Sequence, residues 1–209
     1  MSYFVNVRVW EPIREQGRAV KYEIPLSTVL RSYRLGEVLE RGSVMSRELE
    51  VEYVEFDLDL ANLGEAVELV TRVLEEAGAP AGSEIRIGGA DSQEVVLFGR
   101  KEGLAIYLDG IGLPDEVYET CTADGLAGLI YGKLTSLGGE IRGSWVGPNE
   151  TAIYLYCPDA EKMFAVLEPI LAAYPLCGNA RVVIRHGNPA LLPRTVRMPP
   201  PAVETSSAV

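Results

Sequence analysis

The sequence predicts an α+β chain built from two similar lobes, each a mostly antiparallel sheet with helices packed on one face. Three observations carry this. The C-terminal half runs strand, helix, strand, strand, helix, strand. The segment 54–88 is echoed by 152–186, a period near 98 residues that suggests duplication of a domain rather than a solenoid. The length of 209 residues, with 47% hydrophobic and 23% charged residues, suffices for one large domain or two small ones with real cores.

The C-terminal half shows the plan most clearly. "GLAIYLDG" (103–110) is an apolar run stopped by Asp-Gly, as expected of a buried strand. "TADGLAGLIYGKLTSLGG" places Leu126, Leu129, Ile130, Leu134 and Leu137 on one helical face, with Thr122 or Asp124 as cap and Gly138-Gly139 as stop. "EIRGSWVG" (140–147) and "ETAIYLYC" (150–157) read as two strands paired across the turn Gly147-Pro148-Asn149. Met163, Leu167, Ile170, Leu171 and Tyr174 then recur at helical spacing, with Pro169 inside the pattern to remove one backbone hydrogen bond. "ARVVIRHG" (180–187) closes as a strand. This order is the split βαβ, or ferredoxin-like, arrangement.

The N-terminal half fits less neatly. "SYFVNVRVW" alternates, with Val5, Val7 and Val9 on one face, and "RAVKYEI" (18–24) reads as a strand pairing back. "LSTVLRSYRLGEVLERG" (26–42) reads as a helix weakened by Ser, Tyr and Gly. "RELEVEYVEFDLDL" is a long strand with Val54, Phe56, Leu58 and Leu60 on one side. "NLGEAVELVTRVLEEAG" is the best helix: Asn62 and Glu65 have capping-box spacing, Val67, Val70 and Leu74 form the stripe, and Gly78 ends it. "SEIRIGG" and "QEVVLFG" follow as strands. The expected organisation is an N-terminal lobe over 1–100, a C-terminal βαββαβ lobe over 101–187, and a Pro- and Ser-rich tail over 188–209, extended and then disordered.

A net charge of -11 and a pI near 4.7 make phosphate-backbone binding a poor expectation, so no nucleic-acid partner is assigned. The same negative field attracts basic proteins and speeds their encounter; plain solubility explains acidity equally well. "MSYFVNVRVW" has no basic region before an apolar run, and no stretch approaches the ~20 apolar residues of a membrane span. The three cysteines, without a C-x-x-C, fit a reducing compartment. Cys157 and Cys177 bracket a helix whose ends stand roughly 24 Å apart, beyond disulfide reach. These features predict a cytoplasmic protein with free thiols and no membrane contact.

Candidate chemistry is sparse. The one histidine, His186, excludes His pairs and H-E-x-x-H sites, and no G-x-S-x-G accompanies it for a triad. Cys121 sits just before a helix, where a thiolate is favoured, although a small buried or capping-turn residue is the commoner role there. "GGADSQ" and "SLGGEIRGS" match no phosphate-binding pattern and read as turns. Glu55, Asp57 and Asp59 share one strand face, a spacing that suits a divalent cation or simply a solvated face. No cofactor, metal site or catalytic residue is assigned.

The acidic loop in "EGLAIYLDGIGLPDEVYE" (102–119) stands out. Asp109, Asp115, Glu116 and Glu119 lie beside Tyr118, with Trp145 and Glu150 in the next strands. Acids mixed with Tyr and Trp describe a surface for an Arg- or Lys-rich protein, and these seven residues are the candidate partner-binding set. The rival readings are an enzyme or small-molecule-binding protein using this loop and the cleft between lobes, or a regulatory sensor of small molecules.

The phrases "EAGAPAGSEI", "FGRKEGLAIYLDGIGLPDEVYE", "IRGSWVGPNETAIYLYCPDAEKMF" and "LEPILAAYPLCGNARVVIRHG" resemble an uncharacterised bacterial family, some of whose members resemble immunity proteins encoded beside secreted antibacterial toxins of the polymorphic or type VI kind. The resemblance covers roughly residues 52 to 187. It implies a non-enzymatic cytoplasmic inhibitor that binds a toxin and occludes its active site, and it supplies no catalytic residue to carry over.

Overall fold

The computed structural model describes residues 2–88, 94–187 and 192–199. The chain divides into two compact units, Met1–Gly103 with Arg185–Leu192, and Leu104–Ile184 with Pro193–Val209. The division falls just past the expected boundary because the Ala81 N–H donates to the Lys101 carbonyl at 2.8 Å, which holds 101–103 to the first unit.

In the first unit, β1 (Tyr3–Val9) leads to α1 (Glu15–Arg18), a π turn (Ala19–Glu23) and α2 (Ile24–Tyr33). β2 (Gly36–Met45), β3 (Val51–Leu60), α3 (Leu63–Glu76), β4 (Ser83–Ile87) and β5 (Glu94–Phe98) follow, and the sheet order is β2-β3-β1-β4-β5. The expected strand over 18–24 is therefore helical. Its apparent alternation hides the stronger pattern: Arg18, Tyr22, Leu26 and Leu30 are all buried and spaced by four. A straight α-helix repeats at 3.6, so a four-residue stripe drifts around it, and the wider π turn takes up that drift.

The expected helix over 26–42 ends at Tyr33. Arg34 takes the left-handed conformation (φ 57°), and Gly36 (φ 148°) begins β2 so close to β3 that a Cβ there would lie 2.1 Å from the Asp59 carbonyl oxygen. A side chain at position 36 would force the two strands apart. The core combines Val5, Val7 and Val9 with Val54, Phe56, Leu58 and Leu60, covered by Leu26, Leu30, Ala66, Val70 and Leu74. At the start of α3, Asn62 donates its amide to Glu65 Oε2 at 3.0 Å, so the two capping residues bond each other.

The second unit runs β6 (Glu102–Asp109), α4 (Asp115–Thr120), α5 (Ala123–Ser136), β7 (Glu140–Val146), β8 (Glu150–Cys157), α6 (Ala160–Ala173), a 3-10 turn (Pro175–Cys177), β9 (Arg181–Arg185) and β10 (Arg194–Arg197). Its order is β10-β9-β6-β8-β7. The four strands of the βαββαβ plan thus share one sheet in the ferredoxin-like order. Thr122 caps α5 by accepting from Gly125 N–H at 3.0 Å, and Asp159 caps α6 by accepting from Lys162 N–H at 2.9 Å. Alternation along β6 sorts its residues: Leu104, Ile106 and Leu108 join the helices in the main core, while Ala105 and Tyr107 join Trp145, Tyr154, Tyr156 and Val183 on the other face. On α5, Leu126, Ile130 and Leu134 are buried, but Leu129, at the edge of the stripe, is exposed.

The two sheets are one permutation. In each, the first strand lies centrally between the third and fourth, the second is one edge, and a fifth strand extends the fourth. Helices opening at Leu63 and Ala160, and strands opening at Ser83 and Arg181, keep the expected spacing of about 98 residues. Within the tail, expected to be extended up to about Pro199, residues 194–197 form a strand. Those residues pair antiparallel with β9, Thr195 opposite Val183, and Met198 is buried in the core. Val196 and Met198 give that segment the apolar contacts a free tail lacks. Residues 200–209, expected to be disordered, lie outside the described residues, as do 188–191.

Candidate functional site

The acidic loop begins where β6 delivers Asp109 to its end. Asp109 Oδ1 accepts from the Ile111 and Gly112 N–H groups at 3.0 and 2.9 Å, and Oδ2 accepts from the Asn179 amide at 3.3 Å. Burial pushes the Asp109 carboxyl up, but these three donors together outweigh it and hold its pKa below the ordinary value. A Cβ at Gly112 would stand 2.4 Å from Asp109 Oδ2, so a side chain there would push that carboxylate aside.

Tyr118 closes the same loop from within. Its hydroxyl accepts from Leu113 N–H at 3.0 Å and donates to the Asp109 carbonyl at 3.3 Å. The Gly110 N–H ties the loop to the β7–β8 hairpin through the Asn149 carbonyl at 2.8 Å. Asp109 and Tyr118, both half-buried, therefore hold the loop together through these bonds.

α4 then presents the remaining acids. Pro114 precedes it, Val117 and Tyr118 turn toward the core, and Asp115, Glu116 and Glu119 are exposed. Asp124, in the first turn of α5, is exposed as well. No hydrogen bond or ion pair joins these four carboxylates to another described residue. Ile111, 69% exposed, stands at the loop tip.

Trp145 and Glu150 are placed otherwise than expected. Trp145 is buried at 7% exposure among Tyr107, Tyr154 and Tyr156. Gly147 makes room for it, since a Cβ there would lie 2.0 Å from the indole. Glu150 forms a two-pronged pair with Arg181 at 2.9 and 2.8 Å, and that guanidinium stacks 3.5 Å above the Tyr107 ring. Of the seven expected residues, the structure leaves Asp115, Glu116 and Glu119 outward and unengaged.

The other candidates are also accounted for. Asp57 accepts the Asn6 amide at 2.8 Å, Glu55 lies 3.7 Å from Arg8, and Asp59 accepts the Ser2 hydroxyl. These partners neutralise or engage the three carboxylates of that strand face. Among the described residues no group of three or more metal-ligating side chains converges. His186 Nδ1 lies 3.8 Å from Glu102 Oε2. Cys121 is half-buried, its Sγ 3.8 Å from the Thr120 hydroxyl.

Two features escape sequence reasoning. The first is a buried ionic cluster around the π turn. Glu11 accepts from Lys21 Nζ at 2.8 Å and from the Tyr22 hydroxyl. Arg18 donates to Glu23 at 2.5 Å and to Ser43 at 2.8 Å, with Arg41 3.3 Å from the same Glu23. Arg18 and Glu23 are five apart, a spacing that an α-helical search passes over. The second is an open groove of about 500 Å³ lined by Ser2, Arg31, Arg34, Glu37 and Asp59, whose residues come from separate elements and share no motif.

No protein-family model matches the chain, and no curated protein matches it. Among solved structures it is similar to an unknown protein from Galdieria sulphuraria, at 15% identity over 88% of this chain and 96% of that one, with a TM-score of 0.26. It is also similar to the ligand-free regulatory subunit of aspartate kinase from Thermus thermophilus, at 17% identity over 80% and 91%, with a TM-score of 0.25. What the chain is rests on its own strand order: a duplicated ferredoxin-like α+β protein, each copy extended by a fifth strand.

Proposed function

We propose that this chain is a non-enzymatic protein-binding module that offers α4 and the loop before it to a basic partner. The observation that carries this is a contrast within the second unit. Glu140, Glu150 and Glu161 each hold an arginine, and Asp109 and Asp159 accept backbone N–H groups. Asp115, Glu116, Glu119 and Asp124 are exposed and hold no other described residue, and the exposed Ile111 precedes Asp115 by four positions in the same loop. An exposed apolar residue close in sequence to unengaged like charges fits a partner of opposite charge, and the net charge of -11 steers such a partner in. No helix among the described residues is long and apolar enough to cross a membrane.

Within this class, the resemblance over residues 52–187 favours an immunity protein that holds a secreted toxin inactive in the cytoplasm of the producing cell. The test is to capture the partner from the native cells and measure association of the purified pair. Asp115→Lys with Glu116→Lys is expected to slow association at least tenfold while dissociation changes less, and rising salt is expected to slow the wild-type rate. A partner whose association ignores both would overturn the proposal.

A further inference from the structure

Cys121 and Cys177 belong to two turns that the fold holds together. Cys121 follows the last residue of α4, and Cys177 ends the 3-10 turn after α6. α4 packs against that turn. The Tyr174 hydroxyl accepts from the Thr122 N–H at 3.1 Å and donates to the Thr122 carbonyl at 3.0 Å. This pins the residue after Cys121 to the residue that precedes the turn, and the Cys177 N–H in turn donates to the Tyr174 carbonyl at 2.9 Å.

Both cysteines join one apolar cluster, Cys177 inside it and Cys121 half-buried at its margin. The Cys177 thiol is pushed up to about 12, first by burial and then by Cys121. Cys157 is elsewhere engaged, its Sγ–H donating to the Asp159 carbonyl at 3.0 Å.

The geometry points to a redox modification site: Cys121 and Cys177 close a reversible disulfide when the protein meets a low-molecular-weight disulfide such as oxidised glutathione. The steps balance. The accessible Cys121, as its thiolate, attacks one glutathione sulfur, forming a mixed disulfide and releasing one glutathione thiolate, which takes up a proton. Cys177 then loses its proton to water and attacks the Cys121 sulfur, expelling the second glutathione as a thiol. Two protein thiols are oxidised and one small disulfide is reduced. The bond fastens the end of α4 to the 3-10 turn across the contact that Tyr174 already makes. In a reducing compartment the pair rests as free thiols, and closure reports an oxidising episode.

The buried thiol sets the pace. Closure requires the Cys177 thiolate, whose fraction rises about tenfold per pH unit below its pKa, so closure is expected to accelerate steeply between pH 7 and 9.

The test uses the full folded chain, oxidised glutathione at graded pH, alkylation of remaining thiols after denaturation, and peptide mass spectrometry. The expected result is a Cys121–Cys177 linked peptide with Cys157 alkylated, reversed by dithiothreitol and retained in Cys157→Ser. Cys177→Ser should stop at a glutathione adduct on Cys121, and Cys121→Ser, which disturbs only a margin position, should yield no link. A wild-type chain that accumulates the Cys121 adduct while Cys177 remains alkylatable would overturn the assignment. A Cys121–Cys121 dimer as the main product would overturn it equally.

Discussion

The connection from the first strand to the first helix of each unit carries charge, and the two connections turn it in opposite directions. After β1, Glu11, Arg18 and Glu23 point inward at 2, 6 and 8% exposure, and each finds a partner of opposite charge. After β6, at the corresponding place in the plan, Asp115, Glu116 and Glu119 point outward and find none. A common strand order fixes where these connections start and end, not what they do. Inward charge demands partners, because an unpaired ion in a low-dielectric interior is costly, and the π turn supplies the register that lets Arg18 and Glu23 meet. Outward charge demands nothing from the fold and is free to serve a partner. The helix-free sheet faces diverge in the same way, with Asn6, Arg8, Glu55 and Asp57 in the first unit and Tyr107, Trp145, Tyr154 and Tyr156 in the second.

The largest expected effect lies in the inward network. Glu23→Ala leaves Arg18 buried without its carboxylate and is expected to destabilise the first unit by about 3–5 kcal/mol. Replacing both partners, Arg18→Met with Glu23→Leu, should restore most of that loss, since two apolar side chains of similar size need no pairing. Urea denaturation of the two variants checks the pair. A single variant costing under about 1 kcal/mol would mean that the ions are not desolvated and would remove the contrast with α4.

A middle-sized effect tests the loop that presents the outward charges. Tyr118→Phe keeps the ring in the core but removes the hydroxyl, orphaning the Leu113 N–H and the Asp109 carbonyl. The expected cost is about 1–3 kcal/mol. Hydrogen exchange should show the Leu113 amide losing protection while amides in β8 keep theirs. Unchanged exchange at Leu113 would show that the loop holds its shape without Tyr118.

How far the sequence carries depends on which side of each element does the work. Where burial sets the pattern, residues announce themselves: Leu104, Ile106 and Leu108 against Ala105 and Tyr107, or Met163, Leu167 and Leu171 along α6, could be read directly, and the whole second unit with them. Over 18–42 two legitimate periods compete. Arg18, Val20, Tyr22 and Ile24 alternate, while Arg18, Tyr22, Leu26 and Leu30 recur by four, and only tertiary burial decides between them. The same limit applies to the candidate site. Asp109 and Asp115 are the same residue type six positions apart, yet one is consumed by backbone donors and the other is not. Composition shows that acids are present; only the turn geometry around Gly112 and Tyr118 shows which are available.

The smallest expected effect is on the stability of the outward carboxylates themselves. Asp115→Lys with Glu116→Lys changes the local charge by four and removes two acids from the first turn of α4, where they favour the helix dipole by a few tenths of a kcal/mol each. Against that loss, the substitution relieves repulsion among Asp115, Glu116, Glu119 and Asp124, all exposed and screened by water. The two terms oppose each other at similar size, so the net change is expected to stay within about 0.5 kcal/mol, and 0.5 M salt should shrink whatever difference remains. Thermal denaturation of both proteins at low and high salt checks this. Near-neutral stability together with slowed partner association would place the cost of these charges in binding alone. A loss above about 1.5 kcal/mol would mean that the carboxylates support the fold after all, and the outward connection would then be no different in kind from the inward one around Arg18 and Glu23.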